Sequence, residues 1–295
     1  MRDLKVFIYT NGCIKRNLDA SRMLRYFELN RCRVVARPKD ADYIIFVTCS
    51  VVKSKEDESF QYIDKLKGCR GELIVAGCLP DIASERLKSE FKGRYFTTKN
   101  LEEIDNIFGN PDIKFSSIED AHLLRQEFRP SGDQQNQLIE SIKLRISCLV
   151  SLAALFIMNF RISRGFYKRC MNFVHHKGRN ALNFIISSKP QVACLRIGHG
   201  CIDKCTYCSI LKAVGNLKSK PVDLCCNEYS DLLRRGYSNF LIFADNVGAY
   251  GLDIGSSLID LLERMSSLDG GRRVSWEIPG LHPKWLIKYR DGLLK

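Results

Sequence analysis

Three short apolar runs near the N-terminus, residues 6–9, 43–47 and 73–76, are each followed within a few residues by a cysteine: Cys13, Cys49 and Cys78. Runs of this length, rich in Val and Ile, have the pattern of strands buried on both faces, as in parallel sheets. Amphipathic stretches separate them, at residues 18–29, 54–66, 82–91 and 101–108. The alternation predicts an α/β fold, with a doubly wound parallel sheet over residues 1–109. In such sheets ligands sit in the crevice beyond the carboxyl ends of the strands. The topology would therefore bring three thiols, far apart in sequence, to one sheet edge. Buried cysteines often act as small core residues instead, but recurrence at the same topological position favours ligation.

Residues 191–295 return to the same rhythm. Strand patterns at 192–197, 239–244 and 273–278 alternate with helical ones at 222–235, 254–265 and from Pro283 onward, giving three βα units, the third incomplete. Between the two α/β regions, residues 110–190 read as a basic, mostly helical connecting region. Residues 130–137 are a polar loop or linker, and residues 138–160 carry apolar side chains at helical spacing. From Ser141 to Ile202 there is no Asp or Glu, whereas Lys and Arg recur at ten positions, among them Arg161, Arg164, Lys168 and Arg169. Phe166, Tyr167 and Phe173 are interleaved with them. Charge-rich segments are usually solvated surface. Without compensating acids, this one would attract phosphates while its aromatics stack on bases.

The chain has 13 cysteines and a formal net charge of +13, from 46 Lys and Arg against 33 Asp and Glu. A disulfide-rich secreted protein is disfavoured, because the N-terminus reads as a strand and not as a signal peptide. The longest charge-free apolar run, residues 146–160, is 15 residues long, short of the roughly 18–20 needed to span a bilayer. A cytoplasmic setting without membrane association is expected, where clustered thiols point to metal or redox chemistry.

The densest such cluster is Gly200-Cys-Ile-Asp-Lys-Cys-Thr-Tyr-Cys208, a CxxxCxxC directly after a predicted strand. Three thiolates at this spacing suit a [4Fe–4S] cluster and leave one iron open to a further ligand, as catalytic metal sites do. Structural zinc prefers paired CxxC knuckles with four ligands, and no clean second pair accompanies this triplet, although Cys225 and Cys226 lie nearby. Cys32, Cys69, Cys148, Cys170 and Cys194 belong to no motif and read as apolar fillers. His175 and His176 are surplus to thiol-served clusters, and His199 reads as a supporting or backbone-bonded residue. Asp245, at a strand's carboxyl end, would orient a cofactor or cap a helix.

Taken together, these motifs resemble the radical S-adenosylmethionine (SAM) methylthiotransferases across almost the whole chain. The resemblance implies that Cys13 in Asn11-Gly-Cys, Cys49 in Val47-Thr-Cys and Cys78 in Ala76-Gly-Cys hold an auxiliary [4Fe–4S] cluster. It implies a SAM-cleaving cluster on Cys201, Cys205 and Cys208, with Tyr207 near the adenine and Asp245 near the cofactor. The region from residue 191 would then be the first part of a radical SAM partial (β/α) barrel. Residues 215–221 and 245–255 look most like the branch that modifies threonylcarbamoyladenosine in tRNA. The implied chemistry uses SAM twice, first to methylate sulfur at the auxiliary cluster, then to generate a deoxyadenosyl radical. A methylthio group is thereby installed on an unactivated carbon of a tRNA adenosine, with a flavodoxin- or ferredoxin-like electron donor. A ribosomal-protein branch of the family makes a peptide the alternative acceptor.

This sequence is expected to depart from the family pattern in three places, one of them the β-rich C-terminal RNA-binding domain that many members carry and this sequence lacks. Members usually carry Asn three residues after the first cysteine, where this chain has Arg16, and Asn17 and Asp19 only approximate the pattern. Their barrel has further βα units, which supply SAM ribose and adenine contacts. SAM cleavage by this polypeptide is accordingly expected to be absent or very slow, which leaves a cluster- and RNA-binding protein without turnover as a further alternative.

The acid-free segment generates a direct test by salt titration. Binding of tRNA should weaken steeply with salt as counterions are released, and neutralising Arg161, Arg164, Lys168 and Arg169 together should flatten that slope. An unchanged slope and affinity would remove the segment from any RNA interface.

Overall fold

The computed structural model describes residues 3–109, 111–123 and 192–294. Four parallel strands open the chain: β1 (Lys5–Thr10), β2 (Arg33–Val34), β3 (Tyr43–Thr48) and β4 (Glu72–Gly77), in the order β2-β1-β3-β4. The helix α1 (Ile14–Leu29) connects β1 to β2 and α2 (Lys53–Lys67) connects β3 to β4, while α3 (Leu79–Ile82), α4 (Ser84–Glu90) and α5 (Glu103–Ile107) follow β4. Successive strand residues point to opposite faces, and both faces are covered. Val6, Ile8, Ile45, Val47 and Ile74 pack against Ala20, Met23 and Phe27 of α1 and Ile104 of α5. Ile44, Phe46 and Val75 pack against Phe60 and Ile63 of α2 and Leu87 of α4. Burial on two sides is why these strands are nearly continuous apolar runs and why the sheet is doubly wound, as expected.

The details depart from the expected boundaries for local reasons. β2 is a two-residue exposed edge strand, too short and polar to leave an apolar signature. The helix expected over 82–91 is two, because Pro80 starts α3 and the backbone breaks at Ala83 (φ −114°, ψ 43°). Residues 111–123, assigned from sequence to the connecting region, pack on the first lobe. Phe115 and Ile118 are buried beside α1, whose end is tied down by Asn30 Nδ2 donating to the carbonyls of Tyr26 (3.0 Å) and Ile113 (2.9 Å).

The second lobe contains β5 (Val192–Arg196), β6 (Gly198–His199), α6 (Ile210–Val214), β7 (Lys218–Ser219) and α7 (Val222–Arg234). It continues through β8 (Asn239–Phe243), α8 (Leu258–Ser267), β9 (Ser275–Glu277) and α9 (Pro283–Leu293). A parallel sheet β5-β8-β9 carries a small antiparallel pair, β6 with β7. Cys225, Cys226, Tyr229, Leu232 and Leu233 form the buried stripe of α7, at the i, i+4, i+7 spacing of an amphipathic helix. α8 begins at Leu258, four residues later than its pattern suggested, because Ser257 caps it by accepting from the Asp260 N–H at 3.2 Å.

Residues 124–191 lie outside the described residues, and with them the helix expected over 138–160 and Arg161, Arg164, Lys168 and Arg169. The described lobes form one compact unit. Their junction is buried and in part ionic, beside an apolar contact of Leu18 with Cys194 and Phe243. The Arg196 guanidinium, at the end of β5, meets Asp19 of α1 at 2.8 Å and donates to the Lys15 carbonyl at 2.9 Å. Arg16 meets the same carboxylate at 3.0 Å, and all three side chains are buried. Burial alone would raise the Asp19 carboxyl, but Arg16 and Arg196 outweigh it and hold it below its ordinary 3.8.

Removing this carboxylate leaves two buried guanidinium groups short of their shared partner. Asp19→Asn should lower stability by about 3–5 kcal/mol in urea unfolding at pH 7, the range seen when one partner of a buried pair is lost. The Asp19 pKa is depressed on folding, so its contribution is complete above 3.8 and fades as pH falls below that value. The gap between wild type and variant should therefore be flat from pH 5 to 8 and close in acid. A gap below about 1 kcal/mol, typical of surface pairs, would show that the junction does not depend on Asp19.

Candidate functional site

The three N-terminal cysteines stand where the sheet topology puts them. Cys13 precedes α1, Cys49 follows β3 and Cys78 precedes α3. β1 and β3 are adjacent, and the chain leaves β1 toward β2 on one side and β3 toward β4 on the other, which makes their carboxyl ends a topological switch point. Polar side chains stitch the three loops together. Thr10 Oγ1 donates to the Val47 carbonyl (2.8 Å), and Asn11 Oδ1 accepts from the Cys49 N–H (3.1 Å). Thr48 Oγ1 donates to the Ala76 carbonyl (2.6 Å) and accepts from the Leu79 N–H (3.2 Å). Gly77 has φ +101°, and a Cβ there would lie 2.4 Å from the Thr48 carbonyl oxygen. The cysteine after β4 thus depends on glycine before it.

The thiols are in mutual electrostatic reach. Burial pushes the Cys78 thiol up to about 12 against the pull of Arg16, and Cys49 and Cys13 repel its charged form. Close in sequence to Cys13, Cys49 and Cys78 are buried polar atoms that lack hydrogen-bond partners among the described residues: Arg16 Nη1, Asn17 Oδ1, Asp19 Oδ2, Ser50 Oγ and Asp81 Oδ2. Cys49 and Cys78 are buried and Cys13 is exposed, and all the described cysteines are free thiols.

In the second lobe, the loop after β6 carries Cys201, Cys205 and Cys208. Gly200 turns the chain at φ +78°, where a Cβ would lie 1.9 Å from the Asn216 carbonyl oxygen. Its N–H donates to Asp245 Oδ2 at 2.9 Å, and the Cys201 N–H donates to the Gly215 carbonyl at 3.1 Å. Asp245, predicted from sequence beside the cofactor, caps no helix. Its carboxylate holds the cluster loop and pairs with Lys15 of the other lobe at 2.7 Å. Asn246 Nδ2 lies 3.3 Å from Cys201 Sγ and 2.8 Å from Asp203 Oδ2, and its own carbonyl accepts from Trp285 Nε1 at 3.1 Å. Tyr207 is 88% exposed. His199 is pushed down to about 4 by burial and by Arg196, so the neutral ring faces Arg196 Nη1 at 3.4 Å. Cys225 and Cys226 are buried in the core of this lobe, away from the triplet.

The two cysteine loops face each other across the lobe junction. Ser209 Oγ, next to Cys208, donates to the carbonyl of Val51, two residues past Cys49, at 3.4 Å. Lys212 of α6 reaches the Ile82 carbonyl at 3.0 Å. Among the described residues, no three His, Cys, Asp or Glu side chains are gathered to hold a single metal ion. A cubane makes a different demand, because each thiolate binds a different iron. Two sets of three soft donors, with unpartnered buried polar atoms close in sequence to one of them, fit such clusters. Arg16, Asp19, Lys15 and Asn246 were missed as supporting residues by sequence reasoning, because no spacing rule marks a buried polar partner.

A family model described as "Uncharacterized protein family UPF0004" matches residues 5–97. Across 94% of its length the chain is 28% identical to the ribosomal protein uS12 methylthiotransferase RimO of Syntrophus aciditrophicus, covering 52% of that protein. It is 27% identical over 98% of its length to the enzyme of the same name from Geotalea uraniireducens, covering 53% of it. The chain resembles methylthiotransferases. It spans about half the length of the curated relatives it matches. A radical SAM methyltransferase, TsrM from Kitasatospora setae, superposes on 98% of this chain and 58% of its own, with a TM-score of 0.52 at 8% identity. That likeness is one of fold: an α/β chain whose C-terminal lobe follows a partial radical SAM barrel.

The two triads give a testable expectation of two clusters. Anaerobically reconstituted protein should bind about eight irons, and Cys201, Cys205 and Cys208 replaced together by Ala should leave about four. Gly200→Ala should lose the same cluster by distorting its loop. Zinc in place of iron, or about four irons in the wild-type chain, would contradict the two-site arrangement.

Proposed function

We propose that this chain carries the two cluster sites of a radical SAM methylthiotransferase, with one [4Fe–4S] cluster on Cys201, Cys205 and Cys208 and an auxiliary [4Fe–4S] cluster on Cys13, Cys49 and Cys78. The observation that carries this reading is the contact of two three-thiol loops, one at the carboxyl ends of the first parallel sheet and one after β6, just past β5, within one compact unit. When bound, the clusters and SAM supply the electron, the radical and the transferable sulfur.

The polypeptide's part is placement. Gly200 and Asp245 fix the turn into the first triad, Asn246 supports the Cys201 sulfur, and the exposed ring of Tyr207 offers a flat face to adenine. Lys15, by pairing with Asp245, ties the SAM-cluster loop to the helix that follows Cys13. Holding reactive groups in a fixed geometry contributes more than any single group here, since a misplacement near 1 Å costs roughly a hundredfold in rate. A flavodoxin- or ferredoxin-like donor would supply electrons, in the cytoplasm. Among the described residues no helix is long and apolar enough to cross a membrane.

For the acceptor we adopt a ribosomal protein, because the relatives reported above are named for uS12. A modified tRNA adenosine is the second reading, favoured by the basic segment and by the motif at residues 245–255.

Adding SAM to the reduced, reconstituted protein should shift the electron paramagnetic resonance of the Cys201 cluster, and Cys201→Ala should abolish that response. Mass spectrometry after prolonged incubation with SAM and reductant should find a methylthio group on recombinant uS12. Modification of tRNA instead would select the second reading. A cluster signal indifferent to SAM would overturn the radical SAM assignment.

A further inference from the structure

We propose that Asn246 sets the reduction potential of the cluster on Cys201, Cys205 and Cys208, by donating a hydrogen bond to the Cys201 sulfur from an amide that Trp285 orients. The inference rests on the cluster reading above and deepens it by naming a residue that governs how readily that cluster takes up an electron.

Asn246 is buried, so its amide must find hydrogen-bond partners within the protein. The two ends of an Asn amide are alike in shape, and their neighbours decide which one donates. Trp285 Nε1 lies 3.1 Å from one end, and an indole N–H can only donate. That end is therefore the carbonyl, and the amino end faces the cluster loop. Its two hydrogens have two acceptors, Cys201 Sγ at 3.3 Å and Asp203 Oδ2 at 2.8 Å. The Asp203 N–H, 3.4 Å from the same sulfur, is a second donor.

Trp285 is itself held in place. Gly248 leaves room for the indole, since a Cβ there would lie 2.1 Å from the ring's Cγ. Tyr289, one turn further along α9, donates to the Gly248 carbonyl at 3.0 Å. Lys284, in the first turn of α9, pairs with the Asp203 carboxylate. α9 thus steadies both groups that converge on the Cys201 sulfur.

Holding the loop requires only the Asn246 bond to Asp203, whereas the bond to sulfur has an electrostatic consequence. A hydrogen bond to a ligating thiolate withdraws negative charge from it. This favours the reduced cluster, which carries one more negative charge, and raises its potential. Burial strengthens the effect by lowering the local dielectric. The step concerned is the passage of one electron from the donor proposed above to the cluster. Asn246 makes and breaks no covalent bond and acts as a positioning residue.

The test uses the full chain with Cys13, Cys49 and Cys78 replaced by Ala, so that only the Cys201 cluster is loaded. Iron is counted, and the midpoint potential is read by redox titration under paramagnetic resonance. Asn246→Leu, similar in shape but without a donor, should disfavour the reduced cluster about tenfold, a midpoint about 59 mV lower for a one-electron couple. Trp285→Phe keeps Asn246 but frees its amide to turn, and should shift the midpoint the same way by about threefold. An unchanged midpoint in a fully loaded Asn246→Leu chain would overturn the inference and leave Asn246 a purely structural role. If Asn246→Leu does not keep its cluster, Trp285→Phe decides, and an unshifted midpoint there would be contrary. Absence of iron in the chain with Asn246 and Trp285 intact would overturn the cluster reading itself, and the inference with it.

Discussion

A single buried carboxylate, Asp19, lies between two guanidinium groups, and the relation of the lobes depends on that contact. Arg16 belongs to the helix entered directly after Cys13, and Arg196 ends the strand that leads into the Cys201 loop. Charges taken out of water carry a desolvation penalty of several kcal/mol each, so the arrangement persists only while all three groups are in register. A shift of either lobe would strand a charge. The junction therefore acts as a geometric specification more than as a source of stability, and what it specifies is the facing of two thiol-bearing loops.

Each loop is then held by its own strand ends. In the first lobe, hydroxyl and amide side chains at the ends of β1 and β3 satisfy the backbone of the neighbouring loop. In the second, Asp245 at the end of β8 accepts from the Gly200 N–H, and Asn246 beside it donates to the Cys201 sulfur. Such groups keep buried loop backbone paired where no ladder can. Lys15 joins the two systems through Asp245. The neutral His199 ring beside Arg196 adds no further charge to the junction.

Much of this was legible in the sequence, and the parts that were not share a cause. Strands buried on both faces announce themselves as apolar runs, so β1, β3, β4, β5 and β8 and the cysteines after them could be placed. β2 could not, because two exposed residues at an edge leave no pattern. Residues 111–123 looked like linker because irregular chain packs through a few side chains, Phe115 and Ile118, without periodicity. Arg16 looked like a departure from the family pattern, and Asp19 like an approximation to it. Their burial and pairing arise from residues some 180 positions away, such as Arg196. Asp245 was found by its position at a strand's end, but its partners, a glycine N–H and a lysine of the other lobe, belong to the tertiary structure alone.

The central proposal is that this chain carries two cubane clusters, one in each lobe, on loops that touch at the junction. The most direct measurement is the paramagnetic resonance of the fully reduced, reconstituted chain, compared with variants lacking either cysteine triad. The account predicts magnetic coupling between the clusters in the wild-type chain, seen as broadened and fast-relaxing signals that collapse to a simple spectrum when either triad is removed. Two uncoupled signals in the intact protein, or a spectrum unchanged by loss of one triad, would contradict it.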